Sequence, residues 1–256
     1  MKRCELTLPK IEATLEQSEE WLWVSDNGFN KRRLRLHDYA EIYDIPGLYE
    51  RVFCDMLKSR SWEVIPSMLS YEINKSSKNE DSLRVLDFGA GNGMVGEALL
   101  SQMECERMIG VDILPEARKA AGRDRPCVYD EYHVIDMSQI EPATRKKLTE
   151  FRFNCLVTVA ALGFSDIPTG AFVEAFNLIQ DRGWIAFNIK DKFLTNRDDT
   201  GFARLVKRML NDDILDVRFE QKYRHRFSID GKELYYSAIV GKKKRDIIFD
   251  DFNPGD

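Results

Sequence analysis

The chain has 256 residues, of which 43% are hydrophobic and 32% are charged, and this balance is typical of a folded globular protein. A net charge of −5 argues against nucleic acid as a general partner, and five scattered cysteines without a CxxC motif argue against a zinc site or a disulfide framework. Because no apolar run reaches the length of a signal sequence or a membrane span, we expect a cytoplasmic protein with no membrane partner.

Residues 1–80 are predicted to form an N-terminal extension, a helical cap. Apolar residues recur at helical spacing from about residue 37, where Tyr39 and Tyr43 share one face, and further helices are predicted over 47–58 and beyond. A polar stretch at 74–82 then separates the cap from the first strand. The sequence therefore indicates a cap followed by a larger domain.

After residue 82, short apolar strands alternate with helices. Such a rhythm is typical of a parallel sheet covered by helices on both faces, and right-handed crossovers make it doubly wound. Two later segments around a turn at Asp230-Gly231 resemble a hairpin and break the rhythm. The predicted strands are 83–87, 108–112, 132–135, 155–160, 184–189, 214–219 and 234–240.

A glycine-rich turn follows the first of these strands. Glycines stand at 89, 91 and 93, after Asp87, and a helical pattern comes next. Glycine lets the backbone turn sharply and approach a ligand closely, and the helix start offers unpaired N–H groups. The sequence therefore predicts a nucleotide-type binding turn.

Two known patterns fit the turn. Gly91-x-Gly93-x-x-Gly96, with Asp112 about twenty residues later, matches the dinucleotide-binding pattern and favours NAD. The other pattern is acidic-x-Gly-x-Gly-x-Gly and runs from Asp87 to Gly93. A carboxylate at the strand end would repel a pyrophosphate, whereas it would favour a cationic ligand.

The second pattern resembles the first motif of the class I S-adenosylmethionine-dependent methyltransferases. The resemblance covers roughly residues 83–240. It implies a doubly wound, seven-stranded, mostly parallel α/β sheet with an antiparallel last strand, to which the helical N-terminal cap is added. We accordingly expect a methyltransferase-like domain at 81–241 and a charged, solvated tail at 242–256.

The resemblance also implies a cofactor site for S-adenosylmethionine. Asp112 would accept hydrogen bonds from the ribose hydroxyls, and Ile113 would pack on the adenine. Asp136 would accept from the adenine amino group, with Met137 beside the ring. The alternative for either carboxylate is a simple helix N-cap. The expected cofactor-binding residues are Asp87, Gly89, Ala90, Gly91, Gly93, Asp112, Ile113, Asp136, Met137 and Ala160.

Three residues are weak candidates for acid–base chemistry. Asp166 follows the fourth strand and is either a base or an ordinary loop residue, whereas His37 and Tyr43 stand in the cap. In many small-molecule members of the resembling family, an N-terminal helix places a Tyr or His near the cofactor. The alternative for His37 is a surface residue on an amphipathic helix.

The sequence therefore predicts an S-adenosylmethionine-dependent methyltransferase acting on oxygen, nitrogen or carbon of a small molecule. Two signatures of nucleic-acid or protein methylation are absent: Asn or Asp followed by two prolines and an aromatic, and a suitably placed nucleophilic cysteine. Nucleic acid is thus an unfavoured partner, and no metal ligand set is expected. The alternatives are a non-catalytic cofactor-binding regulatory module and an NAD-dependent oxidoreductase.

Overall fold

The computed structural model describes residues 4–9, 15–26, 29–76, 82–164, 166–195 and 198–248. Its strands are β1 (Cys4–Thr7), β2 (Trp21–Asp26), β3 (Phe29–Arg35), β4 (Leu83–Phe88), β5 (Cys105–Asp112), β6 (Glu131–Val134), β7 (Cys155–Leu162), β8 (Trp184–Lys190), β9 (Leu215–Phe227) and β10 (Glu233–Lys243). Its α-helices are α1 (Tyr39–Asp44), α2 (Ser61–Lys75), α3 (Met94–Leu100), α4 (Pro115–Asp124), α5 (Pro142–Glu150), α6 (Thr169–Asn177) and α7 (Phe202–Asn211), and a π-helix spans Glu50–Met56.

Seven strands form the main sheet, in the order β6-β5-β4-β7-β8-β10-β9. The pairs β6–β5, β5–β4, β4–β7 and β7–β8 are parallel, whereas β10 is antiparallel to both β8 and β9. This arrangement confirms the predicted α/β fold, including the last strand inserted antiparallel between the two before it. β9 and β10 are both longer than the sequence predicted.

Helices cover both faces of the main sheet with apolar side chains. One core layer contains Phe172 and Phe176 of α6 together with Leu205 of α7, and the opposite layer contains Ile65 of α2 and Leu99 of α3. Helix α2 therefore belongs to the layers of the main sheet and not to the cap. The predicted domain boundary at 80/81 lies outside the described residues, and we propose a boundary before α2, near residue 60.

The cap combines a small antiparallel sheet, β1-β2-β3, with α1 and the π-helix. Leu22 and Val24 of β2 alternate with Trp21 and Trp23, and the two aliphatic residues are buried against the cap helices, as the period of a strand requires. The prediction of a helical cap is therefore correct from Tyr39 onward, whereas the described residues before it contain the three strands and a short 3-10 helix, Gln17–Glu19.

The last described residues, 242–248, are ordered against the main sheet. Lys243 is buried, and its ammonium donates to the carbonyls of Phe176 and Ile179, which close the end of α6. Ile247 is also buried, and its backbone bonds the Asn177 side chain. The expected solvated tail is thus incorrect at Lys243 and Ile247, whose side chains are buried, whereas residues 244–246 and 248 are exposed as expected. The remainder, 249–256, lies outside the described residues.

Among the described helices, none is long and apolar enough to cross a bilayer.

A buried ion pair joins the cap to the main sheet. Arg226, at the end of β9, donates to the carboxylate of Glu20, and the two side chains are 3% and 1% exposed. The second oxygen of Glu20 accepts the backbone N–H of Ile229. Because both charges are removed from water, each depends on the other for compensation.

We expect Arg226→Met to lower the free energy of unfolding by about 3–5 kcal/mol, because it leaves the Glu20 carboxylate buried without its cation. Urea titration followed by circular dichroism measures this change. The matched control is Arg218→Met on the same strand, where a half-exposed guanidinium pairs with Asp216; its effect should stay below about 1 kcal/mol. Equal effects of the two variants would contradict a structural role for the buried pair.

Asp87 lies beneath the glycine-rich turn at the end of β4. Its carboxyl group is 1% exposed and accepts a hydrogen bond of 2.8 Å from the Tyr129 hydroxyl. Burial raises the pKa of Asp87 from its ordinary 3.8 to about 7, although the Tyr129 hydrogen bond acts in the opposite direction. The folded protein therefore holds this proton in a range where the unfolded chain has lost it.

The sign of the resulting pH dependence follows from linkage. Between about pH 4 and 7 the folded state binds more protons at Asp87, so the free energy of unfolding falls with rising pH by up to about 1.4 kcal/mol per unit. Asp87→Asn removes this dependence, and its stability relative to wild type should increase by about 2–3 kcal/mol from pH 5 to pH 7. Denaturant titrations at both pH values measure this difference in the free energy of unfolding. Asp199→Asn, at an exposed carboxylate, is the control that should show no such change. A constant difference between wild type and Asp87→Asn would refute the buried protonated carboxyl.

Candidate functional site

A cavity of about 580 Å³ lies at the carboxyl ends of the parallel strands, where open α/β sheets bind ligands. Its floor comes from residues at the carboxyl ends of β4, β5, β6 and β7 and just after them, and its roof comes from the segment 37–49 of the cap. This volume falls within the range of about 300–1,000 Å³ that is typical of small-molecule sites.

The glycine-rich turn has the backbone shape that the sequence indicated. Gly89 and Gly91 have φ values of +75° and +54°, which side chains rarely tolerate. A Cβ on Gly91 would stand 2.5 Å from the hydroxyl oxygen of Tyr43, and one on Gly89 would stand 2.9 Å from the Cβ of Ala161. The turn is therefore built for close approach, by the cap on one side and by β7 on the other.

Asp112 ties this turn to the end of β5. One carboxylate oxygen accepts the N–H of Gly91 at 2.9 Å, and the other accepts the N–H of Leu114 at 3.0 Å. Burial raises the pKa of Asp112, and these backbone N–H bonds oppose that rise. Each oxygen keeps a second lone pair, so the carboxylate can still accept from two hydroxyl groups of a ligand.

The next wall of the cavity has one apolar and one acidic side. Ile113 is 55% exposed although it lines the cavity, so it offers apolar surface to a planar ring. Asp136 uses one oxygen to accept from the N–H and hydroxyl of Ser138, at 2.9 and 2.6 Å. Its other oxygen accepts from no described residue, and Met137 lines the same wall. Asp136 is thus both an N-cap and a free acceptor.

An irregularity in β7 shapes the wall opposite the cap. The register between β7 and β8 shifts between Thr158 and Leu162, and Ala160 has a φ of +57°. The fully buried Asn188 of β8 accepts the Ala160 N–H at 2.6 Å and donates its amide to Ser61 at 2.9 Å. Asn188 therefore compensates the backbone group that the bulge removes from the strand ladder.

The three candidates for acid–base chemistry all line this one cavity. His37 Nδ1 lies 3.4 Å from an oxygen of Asp166, and the side chains are 11% and 29% exposed. Tyr43 stands on α1, with its ring stacked on those of Tyr39 and Tyr49 at centroid distances of 6.2 and 5.4 Å. An imidazole and a carboxylate beside it thus lie at the cap end of the cavity.

The cap is held over the glycine-rich turn by polar contacts. The Asn92 amide donates to Glu50 of the π-helix at 2.8 Å, and Arg125 donates to the same carboxylate at 2.8 Å. Arg123 donates to the carbonyl of Tyr43 at 3.0 Å. These contacts fix α1 and the π-helix relative to the turn.

Six of the ten expected cofactor-binding residues line the cavity: Gly89, Asp112, Ile113, Asp136, Met137 and Ala160. The other four, Asp87, Ala90, Gly91 and Gly93, do not line it. Asp87 faces Tyr129 beneath the turn, and the Tyr43 hydroxyl stands over Gly91. In this structure the Asp87 carboxyl group accepts from Tyr129 and does not line the cavity, so its contact with the cofactor stays a prediction.

Several residues of the cavity wall were not predicted. Tyr39, Tyr49 and Glu41 belong to the cap, whose place over the sheet only tertiary structure reveals. The cluster of Tyr39, Tyr43 and Tyr49 near His37 was the available signal. The role of Asn188, which bonds the backbone of the β7 wall, could not be predicted. A polar residue within an apolar strand gives no indication of which backbone group it bonds.

Comparisons with known proteins identify the family. A family model described as a methyltransferase domain matches residues 62–235, which is more than half of the chain. No curated protein matches the sequence.

Many solved structures resemble the fold at low identity. Magnesium protoporphyrin IX methyltransferase from Synechocystis, with bound S-adenosylmethionine, is 13% identical, with 72% of this chain and 79% of that chain covered and a TM-score of 0.49. The N-methyltransferase NodS from Bradyrhizobium japonicum, with S-adenosyl-L-homocysteine, is 14% identical over 69% of this chain and 86% of its own, with a TM-score of 0.46. A putative RNA methyltransferase from Pyrococcus horikoshii is 14% identical over 70% and 83%, with a TM-score of 0.49.

The start of the family match at residue 62 coincides with the start of α2, the first helix that covers the main sheet. The match contradicts the oxidoreductase alternative and agrees with the resemblance carried by the glycine-rich turn and the strand-end carboxylates. The chain therefore belongs to the methyltransferase domain family and is a class I S-adenosylmethionine-dependent methyltransferase.

Proposed function

We propose that the protein transfers the methyl group of S-adenosylmethionine to a small molecule held between the main sheet and the cap. The observation that carries the donor's position is the pair of carboxylates, Asp112 at the end of β5 and Asp136 just after β6, on one wall of a single cavity. The exposed Ile113 side chain lies between them in sequence.

The polar groups of this wall match the polar groups of adenosine. Asp112 would accept from the two ribose hydroxyls through its remaining lone pairs, and the free oxygen of Asp136 would accept from the adenine amino group. Ile113 and Met137 would pack against the ring. The methionine portion would then extend past Gly89 and Ala160 toward the cap.

The position of the cap supports a small acceptor. Cap residues from His37 to Tyr49 form the roof of the cavity, and α1 packs on Ala117 and Ala120 of α4. An acceptor beside the transferred methyl would therefore be surrounded by cap side chains. His37 and Asp166 are the groups placed to accept a proton from it.

Residues of this chain would carry out three tasks. The wall around Asp112 binds and orients the donor, the β7 bulge limits the space beside the methyl group, and the cap shields the reaction from water. Methyl transfer itself is a displacement at the sulfonium carbon. It requires alignment above all, so a fixed geometry matters more here than a strong acid or base.

Asp112→Asn should weaken the binding of S-adenosylhomocysteine by about 10–100-fold, because one acceptor oxygen becomes an amide donor facing a hydroxyl group. Isothermal titration calorimetry measures this, with circular dichroism to confirm folding and Asp199→Asn as the control with unchanged affinity. Wild type should not bind NAD. An unchanged affinity of Asp112→Asn, or NAD binding without S-adenosylhomocysteine binding, would contradict the assignment of this wall as the S-adenosylmethionine site.

Catalysis separates an enzyme from a cofactor-binding regulatory module. The purified protein, incubated with S-adenosylmethionine carrying a labelled methyl group and a fractionated extract of small metabolites, should transfer label to a low-molecular-mass fraction. The same incubation with Asp112→Asn should transfer much less. Label that enters only protein or RNA would contradict the small-molecule acceptor.

A cytoplasmic location remains our expectation, and all five cysteines are free thiols in the described chain.

A further inference from the structure

The cavity wall carries charges of one sign. Five carboxylates line it, whereas no Lys or Arg is among the described residues that do so, and His37 is its one basic side chain. The chain as a whole has 38 Lys and Arg against 43 Asp and Glu. A nearly balanced sequence has therefore folded to give an acidic cavity, and such a cavity disfavours anionic ligands.

Two of these carboxylates, Asp112 and Asp136, serve the adenosine in the proposed function. The remaining three, Asp38, Glu41 and Asp166, lie at the cap end, on the side of the acceptor. A cation that balances these carboxylates cannot come from the donor's adenosine portion, which is neutral. The groups that this end would face are the acceptor and the methionine portion of the donor, with its sulfonium and ammonium groups.

The cations paired with Asp38 and Glu41 stand outside the cavity. Arg32 pairs with Glu41, with the side chains 45% and 41% exposed, and Arg35 lies 4.0 Å from Asp38. Exposed pairs of this kind contribute little and are screened by salt. The carboxylates therefore keep much of their attraction for a cation inside the cavity.

Aromatic rings line the same end of the cavity. Tyr39, Tyr43 and Tyr49 all contribute to the wall, and their stacked rings are nearly parallel, with interplanar angles of 25° and 24°. Tyr43 is only 8% exposed, yet its hydroxyl, like those of Tyr39 and Tyr49, has no hydrogen-bond partner among the described residues. Burial raises the pKa of all three phenols, so they remain neutral.

Carboxylates combined with tyrosine rings form a recognisable chemical environment. The negative faces of aromatic rings attract ammonium groups by about 0.5–2 kcal/mol, and nearby carboxylates add to this attraction. Unpartnered phenol oxygens can also accept hydrogen bonds from an N–H group. A neutral alcohol would use only the last of these interactions, and a carboxylic acid would be repelled.

We propose that the methyl acceptor is a small molecule bearing an amine, bound with its nitrogen between the tyrosine rings and the carboxylates of Glu41 and Asp166. The proposal rests on the proposed function, because it takes the adenosine wall as the donor site. It assigns the reaction as methylation of nitrogen, among the three atoms that the sequence left open.

The methyl transfer balances with the groups on the cavity wall. An amine bound as ammonium first gives one proton to the imidazole of His37, beside Asp166. The freed nitrogen lone pair then forms the new N–C bond while the C–S bond of the sulfonium breaks. That bonding pair returns to sulfur, which becomes a neutral thioether, and the product leaves as a methylated ammonium.

The test uses a matched series of probes on the protein with S-adenosylhomocysteine bound: phenethylamine, 2-phenylethanol and 3-phenylpropionate. Calorimetry should show phenethylamine binding at least tenfold more tightly than 2-phenylethanol, with no binding of 3-phenylpropionate. Label from S-adenosylmethionine should enter a panel of primary amines and not the matched alcohols. Equal or tighter binding of the alcohol or the acid, or no binding of any amine, would overturn the proposal.

Variants locate the amine site. Asp166→Asn should weaken phenethylamine binding at least tenfold while S-adenosylhomocysteine affinity changes less than twofold, and Glu41→Gln serves as the second variant if the first does not fold. Asp44→Asn is the control, because this exposed carboxylate stands on the same helix outside the cavity. Unchanged amine affinity in the folded variants would overturn the proposal. A wild-type protein that does not bind S-adenosylhomocysteine would instead refute the proposed function.

Discussion

The carboxylate of Asp112 is the constraint on which the ligand-binding edge depends. By accepting the N–H groups of Gly91 and Leu114, it joins the turn after β4 to the turn after β5. The N–H groups of Gly89 and Ala90 also bond the Val111 carbonyl of β5, and without the Asp112 carboxylate the buried N–H of Gly91 would lose its acceptor. The same oxygens remain able to accept further hydrogen bonds. One side chain therefore joins the two turns and also lines the cavity beside them.

The position of the cap depends on the glycine-rich turn that Asp112 holds. Its helix α1 rests on the glycine-rich turn through Tyr43, and the π-helix contacts it through the bond between Glu50 and Asn92. On the far side, the buried pair of Glu20 and Arg226 attaches the cap to β9. The roof of the cavity is thus joined to two separate parts of the main sheet. Together with the contacts of α1 to α4, these attachments fix the aromatic and acidic cap residues that line the cavity.

The fold of the main sheet could be predicted because its strands are short apolar runs, several of which end at an acidic residue. The same pattern placed Asp112 and Asp136 at one edge of the sheet, where both line the cavity, since the carboxyl ends of parallel strands meet at one edge. The small sheet of the cap was missed although Asn27-Gly28 in the sequence is typical of a hairpin turn. Its alternation of aromatic and aliphatic residues was not recognised as a strand period.

Other features could not be predicted, because they arise from contacts between distant segments. Nothing near Asp87 in sequence indicates that Tyr129 lies beside its carboxyl group, so its role was assigned to the ligand. The bond between Asn188 and the backbone of Ala160 is equally distant in sequence. In both cases the residue type was informative, whereas its partner was not.

The left-handed backbone of Ala160 has a consequence for the stability of the chain. Backbone strain in that conformation lowers the free energy of unfolding by about 1–2 kcal/mol for a non-glycine residue. Glycine avoids the strain, but its greater freedom in the unfolded chain lowers the free energy of unfolding by about 0.5–1 kcal/mol. The strain is the larger of the two effects, so glycine would be favoured at this position by up to about 1.5 kcal/mol. The folded chain thus gives up a small part of its stability to keep a methyl group on this wall of the cavity.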